Sequence, residues 1–202
     1  MRMRGTMAAV LGAALLIALA RPLSGVEGYE VNHNDEAYGK PNPNAPPELS
    51  HFAFLIGRWS CDGKVRMPDG HEQSYKASWV GRYILDGYVI EDQYRMTDLS
   101  GKLIVLGNNY RSYDPARKTW SIRWLDAVSG SWTDLATPEL GGATFDGASV
   151  SYVFREPMAN HAFTRATYTP DGANHFTWRG EQSSDRKAWS PFMVVECRRV
   201  SK

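Results

Sequence analysis

The chain has 202 residues, 43% hydrophobic and 22% charged, with a formal net charge of +1. That is an ordinary globular balance, of a length that one all-β domain can fill. It holds no basic surplus, which excludes nucleic acid and anionic lipid as partners bound by bulk charge. Seven Trp, ten Tyr and seven Phe favour strands and supply material for a core or a lined cavity.

Residues 1–20 open on Met-Arg-Met-Arg and continue as an apolar run from Met7 to Ala20. The charged start, the short apolar stretch and Ala18-Leu19-Ala20 match a secretory signal, with cleavage expected after Ala20 and a periplasmic or secreted destination. The run is shorter than the ~20 residues a spanning helix needs, so no stable membrane anchor is expected. No Cys ends it, which argues against lipid attachment. Losing Arg2 and Arg4 with the signal moves the net charge from +1 to −1.

Residues 21–47 are polar and rich in Pro and Asn, the composition of an extended or disordered arm. The domain proper then runs over 48–202. Leu49, Phe52 and Ile56 recur at helical spacing behind Pro46-Pro47 and Ser50, and predict a short helix over 48–55 that plugs one end of a barrel. From Arg58 onward only strands and turns follow. Turn signals such as Pro68-Asp69-Gly70, Leu99-Ser100-Gly101, Asp114-Pro115 and Pro170-Asp171-Gly172 separate ten strand-length runs. These are 59–67, 73–81, 84–96, 103–113, 118–126, 131–137, 148–155, 161–169, 173–182 and 189–200. Regular spacing of this kind means a sandwich or a barrel, and the lack of long helical runs excludes a parallel α/β sheet. The expected fold is an all-β, antiparallel up-and-down barrel of about ten strands.

Gly57-Arg58-Trp59 opens the first strand and resembles the G-x-W signature of calycins, in which the Trp packs at the closed end beneath an Arg of the last strand. Two cysteines in an exported chain suggest one disulfide, although buried free thiols are the other reading. Side chains alternate along a strand, so Trp59 and Cys61 share a face, as do Cys197 and Arg199. One antiparallel register that sets Cys61 opposite Cys197 also sets Trp59 opposite Arg199. Ten strands, an even number, make first and last antiparallel. A bulge would shift that register.

Several motifs keep their order along residues 48–200: Phe54-Leu55-Ile56-Gly57-Arg58-Trp59, Arg82-Tyr83-Ile84-Leu85-Asp86-Gly87, Tyr113-Asp114-Pro115, and Trp120-x-x-x-Trp124-x-Asp126. Together they resemble an uncharacterised family of bacterial lipocalin-like barrels. The resemblance implies the barrel fold and transfers no activity. Related barrels include the haem-binding nitrobindin group, which opens with G-x-W-x-G-x-G running into Tyr-Pro. The stretch from Cys61 to Pro68 departs from that pattern.

Trp120, Ile122, Trp124 and Asp126 share a face of one strand, and Trp132 and Asp134 repeat the pattern on the next. With Tyr94, His175 and Trp178 on other strands, they form the expected lining of a cavity for an apolar or amphipathic ligand. The other reading is that they fill the interior. Asp92 shares the face of Tyr94 and reaches Arg111 or Arg123, either to hold a polar ligand tip or as an internal ion pair. The histidines His33, His51, His71, His161 and His175 form no zinc-binding pair. His161 and His175, on late strands, are the candidates for a haem ligand, since one axial His suffices. No nucleophile elbow, phosphate-binding loop or dinucleotide fingerprint is present. Acid–base work by Asp92, Asp126 or Tyr94 inside the barrel is the remaining enzymatic reading.

Overall fold

The alternation of side chains along the first strand decides the architecture. In Gly57–Arg66 every second residue is buried and every other one exposed, the pattern of a strand with one face on a core and one in water. The computed structural model describes residues 38–155 and 163–201. Across these it builds one eleven-stranded sheet. The strands are β1 Gly57–Arg66, β2 Glu72–Ile84, β3 Val89–Thr97, β4 Leu103–Asp114, β5 Thr119–Asp126, β6 Ser131–Asp134, β7 Ala143–Asp146, β8 Ser149–Arg155, β9 Phe163–Pro170, β10 His175–Ser183 and β11 Ser190–Ser201. Their order in the sheet is β6-β5-β4-β3-β2-β1-β11-β10-β9-β8-β7, every pair antiparallel. The expected signal and most of the expected arm, residues 1–37, lie outside the described residues, as does His161.

The first and last strands of the chain pair in the middle of this curled sheet, so its free edges are β6 and β7. Cys61 stands opposite Cys197 and Trp59 opposite Arg199, the register expected from the sequence. The one irregularity of this ladder falls between Arg58 and Trp59, just beyond the pair that matters. Cys61 and Cys197 form a disulfide across a sequence separation of 136 residues.

The closed end is sealed by a 3₁₀ helix, Pro47–Leu55, with Leu49, Phe52 and Leu55 buried. Pro47 at its start suits the fixed backbone angle of proline. At its finish, the Trp59 indole N–H donates to the Leu55 carbonyl at 2.9 Å. The Arg199 guanidinium donates to the carbonyls of Phe54 and Ile56, at 3.1 and 2.5 Å, and to Ala173 at 2.8 Å. It lies 3.9 Å over the Trp59 ring centre. A cation here satisfies carbonyls that the helix end leaves free. The last part of the Pro/Asn-rich lead joins the same end: Tyr38 is buried, and Asn42 bonds backbone carbonyls of Asp86 and Gly87.

Three details differ from the sequence expectation. Strand 84–96 begins only at Val89, because Leu85, Asp86 and Gly87 take left-handed backbone angles and turn the chain. The sixth strand ends at Asp134 rather than 137. An extra strand, β7, lies in a stretch dense with glycine turns. The count is thus eleven, and the odd number has a consequence. Both β6 and β7 run toward the plug, since each is antiparallel to its one partner. They are the two edges of the sheet, joined by no ladder, and residues 135–142 pass between them.

The disulfide closes a long loop in the unfolded chain. Replacing both cysteines by serine is expected to lower the unfolding free energy by about 4 kcal/mol, measured by urea titration. An unchanged midpoint would show that the β1–β11 ladder holds the two strands together unaided.

Candidate functional site

The interior divides into two halves. The half next to the plug is filled. Phe52 meets Trp120 edge-on at 4.8 Å and Tyr168 at 6.3 Å, while Trp59, Trp79 and Tyr168 crowd around Phe176. In the middle of this apolar set sits an ion pair between Asp92 on β3 and Arg111 on β4, both fully buried. Asp92 also accepts from the Trp79 indole at 2.7 Å and from the Asn109 amide at 2.9 Å. Arg111 lies over the Phe52 ring at 4.9 Å and donates to the Tyr168 hydroxyl at 2.8 Å. Having accepted from Arg111, the Tyr168 oxygen keeps its own hydrogen for Tyr152, 3.1 Å away. Burial pushes the Tyr168 hydroxyl well above the ordinary tyrosine range, with Arg111 pulling the other way. Tyr168 therefore stays a neutral link in this chain.

The other half faces the turns at 67–71, 98–102 and 127–130. Here Tyr75 and Tyr94 touch through their hydroxyls at 3.3 Å. Burial raises Tyr75 to about 12 against the lowering contact with Tyr94, and raises Tyr94 as well. Both remain neutral hydrogen-bonding groups. Trp124 and Trp178 point inward by register, opposite Asn109 and Tyr168 respectively. Tyr94, Trp124 and Trp178 are only half-buried although they face the interior. The rings of Tyr75, Trp124 and Trp178 lie against glycine. A Cβ at Gly63 would overlap Tyr75, one at Gly107 would overlap Trp124, and one at Gly180 would overlap Trp178. A ring pressed flat onto the barrel wall in this way leaves the axis clear, whereas a ring standing on a non-glycine wall projects into it.

The residues expected to line a cavity are thus distributed over four places. Tyr94, Trp124 and Trp178 face the open half together. Trp120 is buried at the plug end instead. Asp126 holds the β5–β6 turn, accepting from the amides of Val128 and Ser129 at 2.8 and 3.0 Å. Two of the expected lining residues lie on the outer face. Trp132 pairs with outward Leu125, is 49% exposed, and packs with Tyr110 and Arg123. The inward positions of β5 are the even-numbered ones, and the β5–β6 register carries this to Ser131 and Thr133 on β6. His175 pairs with outward Arg198 and lies 2.8 Å from Glu196 and 3.4 Å from Asp171. It cannot reach a group held inside. Of the other described histidines, His51 lies on the plug and His71 pairs with Asp69 in a turn. Among the described residues no histidine faces the interior, so they do not fit an axial ligand for haem.

Sequence reasoning missed Tyr75, Trp79, Tyr152 and Tyr168. The first two were findable: they alternate on β2 with the face that register sets beside Cys61 and Gly63. Asp92 and Arg111 do meet, as an internal ion pair; Arg123 is outside, paired with Asp134 at 2.7 Å.

No protein-family model matches the chain, and no curated protein matches it. Among solved structures it is similar to Rv2717c from M. tuberculosis, with 13% identity and a TM-score of 0.54, covering 77% of this chain and 99% of that one. The redesigned β-barrel mFAP1 bound to DFHBI is similar at 14% identity and a TM-score of 0.37, covering 72% and 95%. The likeness to Rv2717c shows a shared β-barrel fold.

Removing one member of a buried ion pair leaves the other charged and uncompensated, at about 3–5 kcal/mol. Asp92→Asn is expected to fall in that range by chemical denaturation. The double variant Asp92→Leu with Arg111→Met is expected to lie closer to the parent than Asp92→Asn does.

Proposed function

We propose that this chain is an exported, lipocalin-like barrel that holds a small apolar or amphipathic molecule in the open half of its interior. The observation that carries the reading is the set of inward aromatics, Tyr94, Trp124 and Trp178, that water still touches. An apolar side chain facing a barrel interior is normally covered by its neighbours. Partial exposure there, with rings flattened onto Gly107 and Gly180, is the shape of a lined site rather than a packed core. The hydroxyls of Tyr75 and Tyr94 supply the few polar groups that orient a ligand in such a site. The filled half beneath makes a rigid floor.

Export is supported by the leader-like first twenty residues and by the Cys61–Cys197 disulfide, a bond that persists in oxidising compartments. No described helix is long and apolar enough to cross a membrane.

Titration with 1-anilinonaphthalene-8-sulfonate tests the reading. Saturable fluorescence gain is expected, weakened about tenfold by Trp124→Ala or Trp178→Ala, which corresponds to about 1.4 kcal/mol. Gly107→Val would meet the Leu125 carbonyl as well as the Trp124 ring, so it should lower stability by about 1–3 kcal/mol or more along with binding. Trp132→Ala, on the outer face, should leave binding unchanged. Absence of saturable binding, or equal loss in the Trp132 variant, would sink the proposal.

A further inference from the structure

A concavity lies at the plug end, lined by none of Tyr94, Trp124 and Trp178. It is a cleft of about 650 Å³ between the plug helix, the β4–β5 turn and the segment that crosses from β6 to β7. Two buried polar atoms of its lining residues have no hydrogen-bond partner, the Trp120 indole nitrogen and one oxygen of Glu48, whose carboxylate is otherwise engaged by the Tyr113 hydroxyl. Trp120 is only 4% exposed. A buried donor or acceptor left unpaired costs about 1–3 kcal/mol, so two of them in the lining of one cleft are a demand for a complementary molecule.

The chemistry of the lining narrows what that molecule is. Trp120 offers a donor and Glu48 an acceptor. A hydroxyl group answers either need, because it both accepts and donates. Arg117 and Lys118 also line the cleft, and Arg117 already pairs with Asp114 at 3.4 Å. Two positive side chains disfavour a cationic ligand, and the Glu48 carboxylate disfavours an anionic one. One wall is aromatic: the His51 and Phe145 rings pack at a tilt of 38° with centres 4.2 Å apart. A neutral ring with hydroxyls along its edge and C–H groups on its face meets all of these conditions. Lys118 holds a left-handed backbone angle, φ 52°, at the lip of the cleft.

From this we infer that the plug-end cleft is a carbohydrate subsite, which takes a neutral pyranose through hydrogen bonds to Trp120 Nε1 and Glu48 and stacking on the His51–Phe145 wall. It is separate from the interior site and does not depend on it.

The test uses the ¹⁵N-labelled full chain titrated with methyl β-D-glucopyranoside, methyl α-D-mannopyranoside and methyl β-D-galactopyranoside. At least one is expected to shift the Trp120 indole N–H resonance saturably, the resonance being identified by its loss in Trp120→Phe. Should that variant fail to fold, ¹⁹F spectra of the parent chain carrying 5-fluorotryptophan report the same environment. Glu48→Gln is expected to weaken the response about tenfold, and Trp132→Ala to leave it as it was. Anilinonaphthalenesulfonate binding should persist at saturating glycoside, which keeps this result apart from the interior site. The inference is overturned if no glycoside moves Trp120 saturably, or if Glu48→Gln responds like the parent.

Discussion

Everything in this molecule hangs on the meeting of β1 and β11. The two strands are the beginning and end of the barrel sequence, and at their junction three kinds of bond coincide. The ladder pairs them, the Cys61–Cys197 disulfide ties them, and Arg199 reaches past Trp59 to the plug carbonyls. The arrangement is economical because one side chain serves two ends. Arg199 covers the indole that floors the barrel and also satisfies the helix terminus that caps it. Long-range pairing of this sort is entropically slow to form, and a covalent link there removes freedom from the unfolded chain rather than adding contacts to the folded one.

The junction also fixes the heights of the inward side chains. With Trp59 level with the plug, the strands carry Trp79, Asp92, Arg111 and Tyr168 into the layer beneath Phe52. The buried charges of that layer are costly to desolvate and repay the cost only by being well paired. Asp92 has three donors around it, and Arg111 has a carboxylate, a hydroxyl and two aromatic faces. The result is a polar but rigid floor. The layer above is built differently, with Tyr75, Trp124 and Trp178 laid on glycines and Tyr94, Trp124 and Trp178 half-buried.

Much of the architecture was legible in the sequence because it is periodic. The alternation around Trp59 and Cys61 gave a register to within one residue, and helical spacing around Phe52 located the plug. The site was less legible. Trp132 and His175 look like their inward neighbours in composition, and only the register of the turns preceding them sets which face they occupy. A three-residue difference in where β6 stops, and a short strand hidden among Gly141, Gly142 and Gly147, were beyond pattern reading. The meaning of Gly63, Gly107 and Gly180 was equally hidden, since a glycine in a strand announces a close approach without saying what approaches. Asp126 reads as a cavity acid on its strand, yet its oxygens are claimed by backbone amides of the turn it begins.

The odd strand count leaves the sheet with two free margins, β6 and β7. Unpaired margins invite pairing with other chains, and proteins blunt them by keeping them short. Each margin here is four residues long. Leu135, at the start of the crossing segment, donates its amide to the Ile122 carbonyl, and its side chain is buried together with Ala136. The chain thus turns what could be a sticky rim into two stubs that offer another molecule little length on which to build a fibre.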